Sequence, residues 1–395
     1  MKRWRTVSGF TLLILFLCLF PAPEVLAGKK DDAGGSKEEP MLAGDLMDWE
    51  DTIPLEEAQK AFENIQGTDS GFSLTEYVEE VINGKAEFSL ASIWQESMEQ
   101  LGEQFESQRA VIFRILALGL MAGVFMNFSG TIGNSELGET GFYLTFLLLF
   151  ATLSAGFYTA YSVAGEAMGN LLDFMRALVP AFSLTLCLGM GTGTSIAYYE
   201  TMLIAISMLE MVTVHIFLPG VQVYFLLSMI NQLADNRFSR MAELIKSFLQ
   251  AGIKILFAVL IGYQGIQGML LPVMDKVKNN AMLQTAKGLP GVGNTFGGVA
   301  DTLLGSGMLI KSAVGVGGLI CIVVMCLYPL LKLLIFTLLH RAGGAIVQPV
   351  SDKRVVAALQ AAAESGKLML GCLFAGALMF LISIAIVVVS TNLVA

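Results

Sequence analysis

The chain is 395 residues long, 55% hydrophobic and only 14% charged, with a mean hydropathy of +0.68, values that a water-soluble core of this size does not reach. Its net charge of −9 is uneven: residues 28–107 hold 20 Asp and Glu against 5 Lys and Arg, a balance of −15, and the rest is mildly basic. An acidic segment beside a greasy remainder excludes nucleic-acid binding, which needs a basic face, and makes the lipid bilayer the first partner.

Lys2, Arg3 and Arg5 precede the apolar run Phe10 to Phe20, followed by Pro21, Pro23 and the small-residue approach to Ala27. This is the pattern of a signal peptide over 1–27, with a run too short to span a bilayer; retention as an anchor is the alternative. Cys18 follows the bulky Leu17, so it reads as apolar filler rather than a lipid-attachment site.

The mature chain then begins outside the cytoplasm, with an acidic extracytoplasmic region over 28–108. Gly28 to Pro40 is polar and glycine-rich and reads as a flexible lead. Helices are expected over Pro54–Ile65, Ser73–Ile82 and Leu90–Ser107. Ser73 with Glu76 three residues on makes a capping-box pattern, and Asn83-Gly84 a helix stop. This region either packs on the membrane domain, docks a partner or stays a solvated acidic surface.

From 109 to 395 the sequence predicts a polytopic transmembrane domain. The apolar runs are Ala110–Phe128, Gly141–Ala164, Ala167–Gly189, Ile196–Phe217, Val221–Ala234, Leu249–Leu271, Ser312–His340 and Leu368–Val389. The fold class is therefore all-α, a helical membrane protein with about eight transmembrane or half-spanning helices and a small helical extracytoplasmic region. Gly119-x-x-x-Gly123 offers a close helix-packing face. Asp173 and Arg176 share a turn at the head of the third run. Gly189, Gly191 and Gly193 form an alternating break that suits a hinge or re-entrant bend; no lysine follows, so it is not a phosphate cradle.

Glu200, Ser207 and Glu210 fall within an arc of about 80° on one helix. Carboxylates in a span turn to a bundle interior or to water, which makes these three candidates for a transport path or a helix contact; the alternative places Glu200 at an interface. Pro219-Gly220 is expected to break the chain before a shorter span. The stretch DNRFSRMAELIKSF, with Phe238, Met241, Leu244, Ile245 and Phe248 on one side, reads as an interfacial helix. Asp275 to Leu309 is expected to be a surface loop with a re-entrant or interfacial element, closing in a helical run over Val299 to Leu309. Ser312 to His340 reaches about 43 Å as a helix, with Pro329 as a kink candidate. Lys332 either snorkels toward the nearby end or faces a polar path, joining Glu200, Ser207 and Glu210 in the second case. Arg341 to Gly366 reads as a separate small-residue amphipathic helix.

Alternation from an outside N-terminus puts the chain's end outside and the basic stretches Arg237–Lys246 and Arg341–Lys367 in the cytoplasm, as the positive-inside rule asks; Lys276–Lys287 would then disobey it. Catalysis finds no footing. Cys187, Cys321, Cys326 and Cys372 sit in apolar helices as small hydrophobes. Two histidines without a His-Glu-x-x-His or Cys/His cluster leave a metal site unsupported, and no nucleophile elbow or P-loop is present. The expectation is a non-enzyme without cofactors.

The run VGNTFGGVADTLLGSGMLIKSAVGVGGLI (292–320), the following YPLLKLLIFTLLHRAGGAIVQPVSDKRVVAAL (328–359) and the closing span resemble the stage III sporulation protein AE family of endospore-forming bacteria. The likeness covers nearly the whole chain. It implies a multi-pass subunit of a channel complex, the feeding tube, in the mother-cell membrane around the forespore. The partners it implies are other stage III sporulation membrane proteins, including ring-forming subunits and a secretion-type ATPase. It transfers no catalytic residue. Two other readings of the residues stay open: a self-sufficient secondary transporter, and a non-conducting scaffold. Glycine-rich packing faces also make a homo-oligomer plausible.

Overall fold

The computed structural model describes residues 53–66, 72–82, 102, 110–125, 135–189, 192–234, 236–287 and 293–392, and among these no strand occurs. The signal-peptide reading, the flexible lead, Gly191 and, apart from helical Gly102, the expected helix Leu90–Ser107 lie outside the described residues.

Two short amphipathic helices come first, α1 (Leu55–Gln66) and α2 (Leu74–Ile82). Ser73 caps α2, its hydroxyl accepting the Glu76 amide at 3.3 Å, and Gln59 of α1 accepts the Leu74 amide at 2.7 Å. Their inner faces bury Phe62, Leu74 and Val78 completely, while Glu56, Glu57, Glu76, Glu79 and Glu80 stay outside. Phe62 meets Phe174 edge-on with ring centroids 6.5 Å apart, and a Cβ at Gly317 would lie 2.6 Å from Leu74. The acidic segment is thus fastened to the membrane helices rather than held apart. Burial also pushes the Tyr77 phenol above its ordinary value, so it stays neutral. Phe62→Leu keeps most of the apolar volume but loses the edge contact, a loss of about 1 kcal/mol. The expected result is faster protease cleavage after α1 with the rest of the chain protected.

The remaining helices are α3 (Ala110–Phe125), α4 (Ser135–Gly189), α5 (Thr192–Val212), α6 (Leu218–Leu233), α7 (Ser239–Lys287), α8 (Gly293–Val347) and α9 (Lys353–Asn392). Among the described residues five stretches are long and apolar enough to cross a membrane: Glu139–Cys187, Ser195–Leu233, Ser239–Ile266, Gly307–Val347 and Lys353–Val389. At 55 residues each, α4 and α8 extend about 80 Å, well past a hydrocarbon core of about 30 Å.

Several expected boundaries are corrected. The runs 141–164 and 167–189 belong to one helix, α4, because a dip in apolarity at Gly165-Glu166 removes no backbone donor and so does not end the hydrogen-bond ladder. Pro219-Gly220 does not break the chain. Thr213–Phe217 forms a single π-helical turn, in which the Leu218 amide reaches the Thr213 carbonyl. That extra residue takes up the crowding a proline imposes on the preceding turn, and α6 continues from α5. Of the interfacial stretch, residues 239–248 are the beginning of α7, the loop expected ahead of the helical run 299–309 is itself helical up to Lys287 and again from Gly293, and the amphipathic stretch 341–366 is divided between α8 and α9. Pro329 is buried inside an unbroken α8.

Side-chain contacts fix the register. On α8 and α9, Gly344 faces Leu359, Gly366 faces Phe336 and Gly315 faces Val388, an antiparallel hairpin along its whole length. Phe157 stacks on Phe225 at 4.1 Å between α4 and α6, Gly220 faces Leu249 of α7, and Lys246 of α7 pairs with Glu364 of α9 at 2.9 Å. Successive long helices therefore alternate in direction. The turns at 236–238 and 348–352 lie at one end of the bundle, which gathers Arg237, Arg240, Arg341, Lys353 and Arg354 there. The α4–α5 turn and the end of α9 lie at the other.

Candidate functional site

The α4–α5 hairpin brings together charges that are 34 residues apart in sequence. Phe182 meets Tyr198 edge-on at 5.3 Å, and the Ser195 hydroxyl donates to the Ser183 carbonyl, so α5 descends beside the last turns of α4. Glu210 then arrives level with Arg176. The guanidinium donates through Nη1 to Asp173 Oδ1 at 2.8 Å and through Nη2 to Glu210 Oε2. Asp173 and Arg176 share a face because they are three residues apart. Farther along the same face of α4, the Ser162 hydroxyl donates to Glu166 at 2.7 Å.

This cluster is on the side of the bundle. The side chains of Asp173, Arg176 and Glu210 are 68, 42 and 39% exposed, although all three sit in helices with the composition of membrane spans. With two carboxylates and one guanidinium it carries a net −1. A charged group inside the hydrocarbon core costs about 2.5–3.5 kcal/mol on the insertion scale, so wherever lipid reaches this level the cluster calls for water or protein beside it.

The structure divides the candidates from the sequence. Glu210 joins Arg176, whereas Glu200 and Ser207 are exposed on α5 among the outward-facing Leu203, Ile204 and Met208; none of the three points into the interior of this chain. Lys332 is half-buried on α8 with its ammonium 5.6 Å from the Tyr328 ring, well apart from the α4–α5 cluster in the chain's packing. Gly189 ends α4, and Gly193 lies in the first turn of α5. Pro219 and Gly220 follow the π turn. Gly119 and Gly123 bring α3 against the α8–α9 turn: Cβ atoms there would lie 2.7 Å from Val347 and 2.3 Å from the Val350 carbonyl oxygen, and the Ser351 hydroxyl donates to the Gly119 carbonyl at 2.8 Å.

Two polar groups escaped the sequence reading. Lys311, directly ahead of the apolar run Ser312–His340, is fully buried where a flanking lysine would be expected to reach for the surface. His340 is also buried; its Nδ1 lies 2.8 Å from the Phe336 carbonyl, while Nε2 has no hydrogen-bond partner among the described residues, and the residue lines a cleft with Val111, Ile112 and Ile115 of α3. The signal for both was only their position at the ends of an apolar run. Among the described residues no cluster of His, Cys, Asp and Glu could hold a metal. Cys321, Cys326 and Cys372 are buried and free, and Cys187 is half-buried. A charged maleimide is expected to leave the first three unmodified in the folded chain and to label them after denaturation, read by mass shift.

The family model described as stage III sporulation protein AE matches residues 72–391, a span that includes α2 and every long helix. A curated relative, Stage III sporulation protein AE of Bacillus subtilis (strain 168), is 20% identical over 316 residues, covering 80% of this chain and 79% of its own. No solved structure matches the chain.

Proposed function

Because the chain belongs to the stage III sporulation protein AE family and so has a part in sporulation, we propose that it acts as a membrane-embedded, non-catalytic subunit of a channel or secretion-like complex joining mother cell and forespore. The observation that carries this reading is the Asp173–Arg176–Glu210 cluster on the flank of otherwise apolar helices. A protein working alone in lipid gains nothing from charges on its outer side; a subunit that meets partners or water there does. In this reading the basic turns face the mother-cell cytoplasm and α1 and α2 face the intermembrane space, in the mother-cell membrane around the forespore. Ring-forming stage III proteins and a secretion-type ATPase are its proposed partners, with further copies of the chain. The fastening of acidic α1 and α2 to α4 and α8 gives an extracytoplasmic partner a surface rigidly coupled to the spans.

The π turn favours a second reading, a secondary transporter, since such irregular turns often mark sites of function. Reconstitution separates the two. The purified full chain in liposomes is expected to show no saturable, gradient-coupled solute uptake; such uptake would establish the transporter and remove the subunit reading. In an endospore-forming host deprived of its own family member, this chain is expected to restore spore formation and to co-purify with other stage III membrane proteins. Restoration without any co-purifying protein would overturn the complex.

A further inference from the structure

The outer face of α4 changes character along its length. After Glu139 and Thr140 at its start, its exposed residues are Tyr143, Leu144, Leu147, Leu148, Ala151, Ala155 and Tyr158 in the first part, and from there to Arg176 the exposed ones are Thr159, Glu166, Asp173 and Arg176. Beside this second part, α5 and α6 expose a mostly apolar surface, Leu203, Ile204, Met208, Met211, Val223 and Leu226, interrupted by Ser207, His215 and Gln222. The register set by Arg176–Glu210 and Phe157–Phe225 puts the two surfaces at one level. No single medium suits both: in lipid the α4 face is uncovered polar surface, and in water the α5–α6 face is uncovered apolar surface. Since the stretches of α4, α5 and α6 with the composition of membrane spans run through this level, it is the α4 face that needs covering.

The spacing of that face says what covers it. Thr152, Thr159, Glu166 and Asp173 recur every seven residues, and Ala155, Ser162, Gly169 and Arg176 recur every seven, three places on. All eight are exposed or half-exposed, and a Cβ at Gly169 would meet nothing within 4 Å. Alternating three and four is the period of a helix-to-helix seam, and the small members Ala155, Ser162 and Gly169 permit the close backbone approach on which helices associate in lipid. Threonine hydroxyls do not disturb it, being turned back onto their own helix: Thr152 and Thr159 donate to the Leu148 and Ala155 carbonyls at 2.9 and 3.1 Å.

We propose that this seam packs against the same seam of a second copy of the chain. All copies insert in one orientation, so an α4–α4 pair is parallel and, about a two-fold axis, in register. At the level of Asp173 and Arg176 the charges then complement each other, while Glu166 keeps its Ser162 hydroxyl. Asp173 and Arg176 lie one turn apart, so across the axis each guanidinium meets the other copy's Asp173, giving two reciprocal pairs in addition to those within each copy. Glu210 borders the seam through its pairing with Arg176. The proposal goes beyond membership in a sporulation complex and can fail without touching it.

The test uses the full chain in its membrane, with native cysteines replaced and single cysteines introduced as Thr159→Cys, Ser162→Cys, Glu166→Cys and, for comparison, Ile204→Cys and Val223→Cys. Mild oxidation is expected to give disulfide-linked dimers of the chain from the α4 positions and not from the α5 and α6 positions. Ser162→Leu with Gly169→Leu, checked for folding by its protease pattern, is expected to lower the dimer yield of Thr159→Cys about tenfold, the equivalent of a lost contact of 1–2 kcal/mol. Equal linking at Ile204 and Thr159 overturns the proposal. So does rapid reaction of the α4 cysteines with a charged maleimide in the absence of dimers, which would make the face the wall of an aqueous passage. Links formed solely to a different protein overturn it as well, and assign the face to that partner.

Discussion

Gly123→Leu is expected to prevent α3 from seating on the bundle. A Cβ at this position would stand 2.3 Å from the Val350 carbonyl oxygen and 3.1 Å from the Ser351 Cα. Both belong to the backbone of the turn between α8 and α9, and that turn is held by amide hydrogen bonds from Val350 and Ser351 to the Val347 carbonyl at 3.1 and 2.9 Å. A side-chain neighbour could rotate away; this one cannot. Overpacking of a fixed site costs about 1–3 kcal/mol even where the surroundings give a little, and a leucine adds three carbons beyond the first clash. A Cβ at the neighbouring Gly119 would lie 2.7 Å from Val347, and the Gly119 carbonyl accepts the Ser351 hydroxyl, so lifting α3 at one glycine also breaks the contact at the other. Loss of α3 uncovers His340 and the apolar wall around it. The measurement is the amount of full-length chain in washed membranes together with its thermal aggregation temperature in detergent, both expected to fall sharply. Gly252→Leu, at a position where a Cβ meets nothing within 4 Å, is the matched control expected to change neither.

The close approach of α3 was legible in the sequence because it rests on two residues in one turn of helix. α1 and α2 were legible to within a residue or so, since an N-cap serine and a 3.6-residue apolar rhythm are local. The division into spans was not. Apolarity says where a helix is content in lipid, and it dips at Glu166 and again around Lys353–Glu364; backbone hydrogen bonding decides where the helix stops, and it ignores the dip. At Pro219 the error runs the other way, because a proline marks a helix end unless one π turn absorbs it, and nothing in the residues Thr213–Phe217 announces that turn. The cluster at Arg176 was half visible. Asp173 and Arg176 share a turn of the sequence, and Glu210 stood out as a carboxylate in a span. Their meeting depends on a hairpin whose register is set by Phe182–Tyr198 and Phe157–Phe225 contacts between distant segments. The direction in which Glu200 and Ser207 face is a tertiary fact of the same kind, since a helical wheel gives the arc they share and leaves open which way it turns.

Arg176→Ala is expected to be the most damaging single change on the α4–α5 face, and more damaging than removal of either of its carboxylate partners. The guanidinium serves Asp173 and Glu210 together, so its loss leaves two carboxylates on the flank of membrane helices with no cation between them. Each such charge costs about 2.5–3.5 kcal/mol at the middle of a span, reduced where water or a partner reaches it. Glu210→Gln, by contrast, removes one charge and leaves the Asp173–Arg176 pair intact and formally neutral. The order expected for chain abundance in membranes and for spore yield is therefore wild type, then Glu210→Gln, then Arg176→Ala, and a change of 1–2 kcal/mol already alters abundance several-fold. Neutralising the stranded carboxylates tests the cause: the triple variant Asp173→Asn, Arg176→Ala, Glu210→Gln is expected to recover abundance above that of Arg176→Ala alone. If abundance recovers but spore yield does not, the charges matter to an encounter with a partner or with water and not merely to insertion. If neither recovers, the arginine stem rather than its charge holds α4 to α5, and the electrostatic account of this face falls.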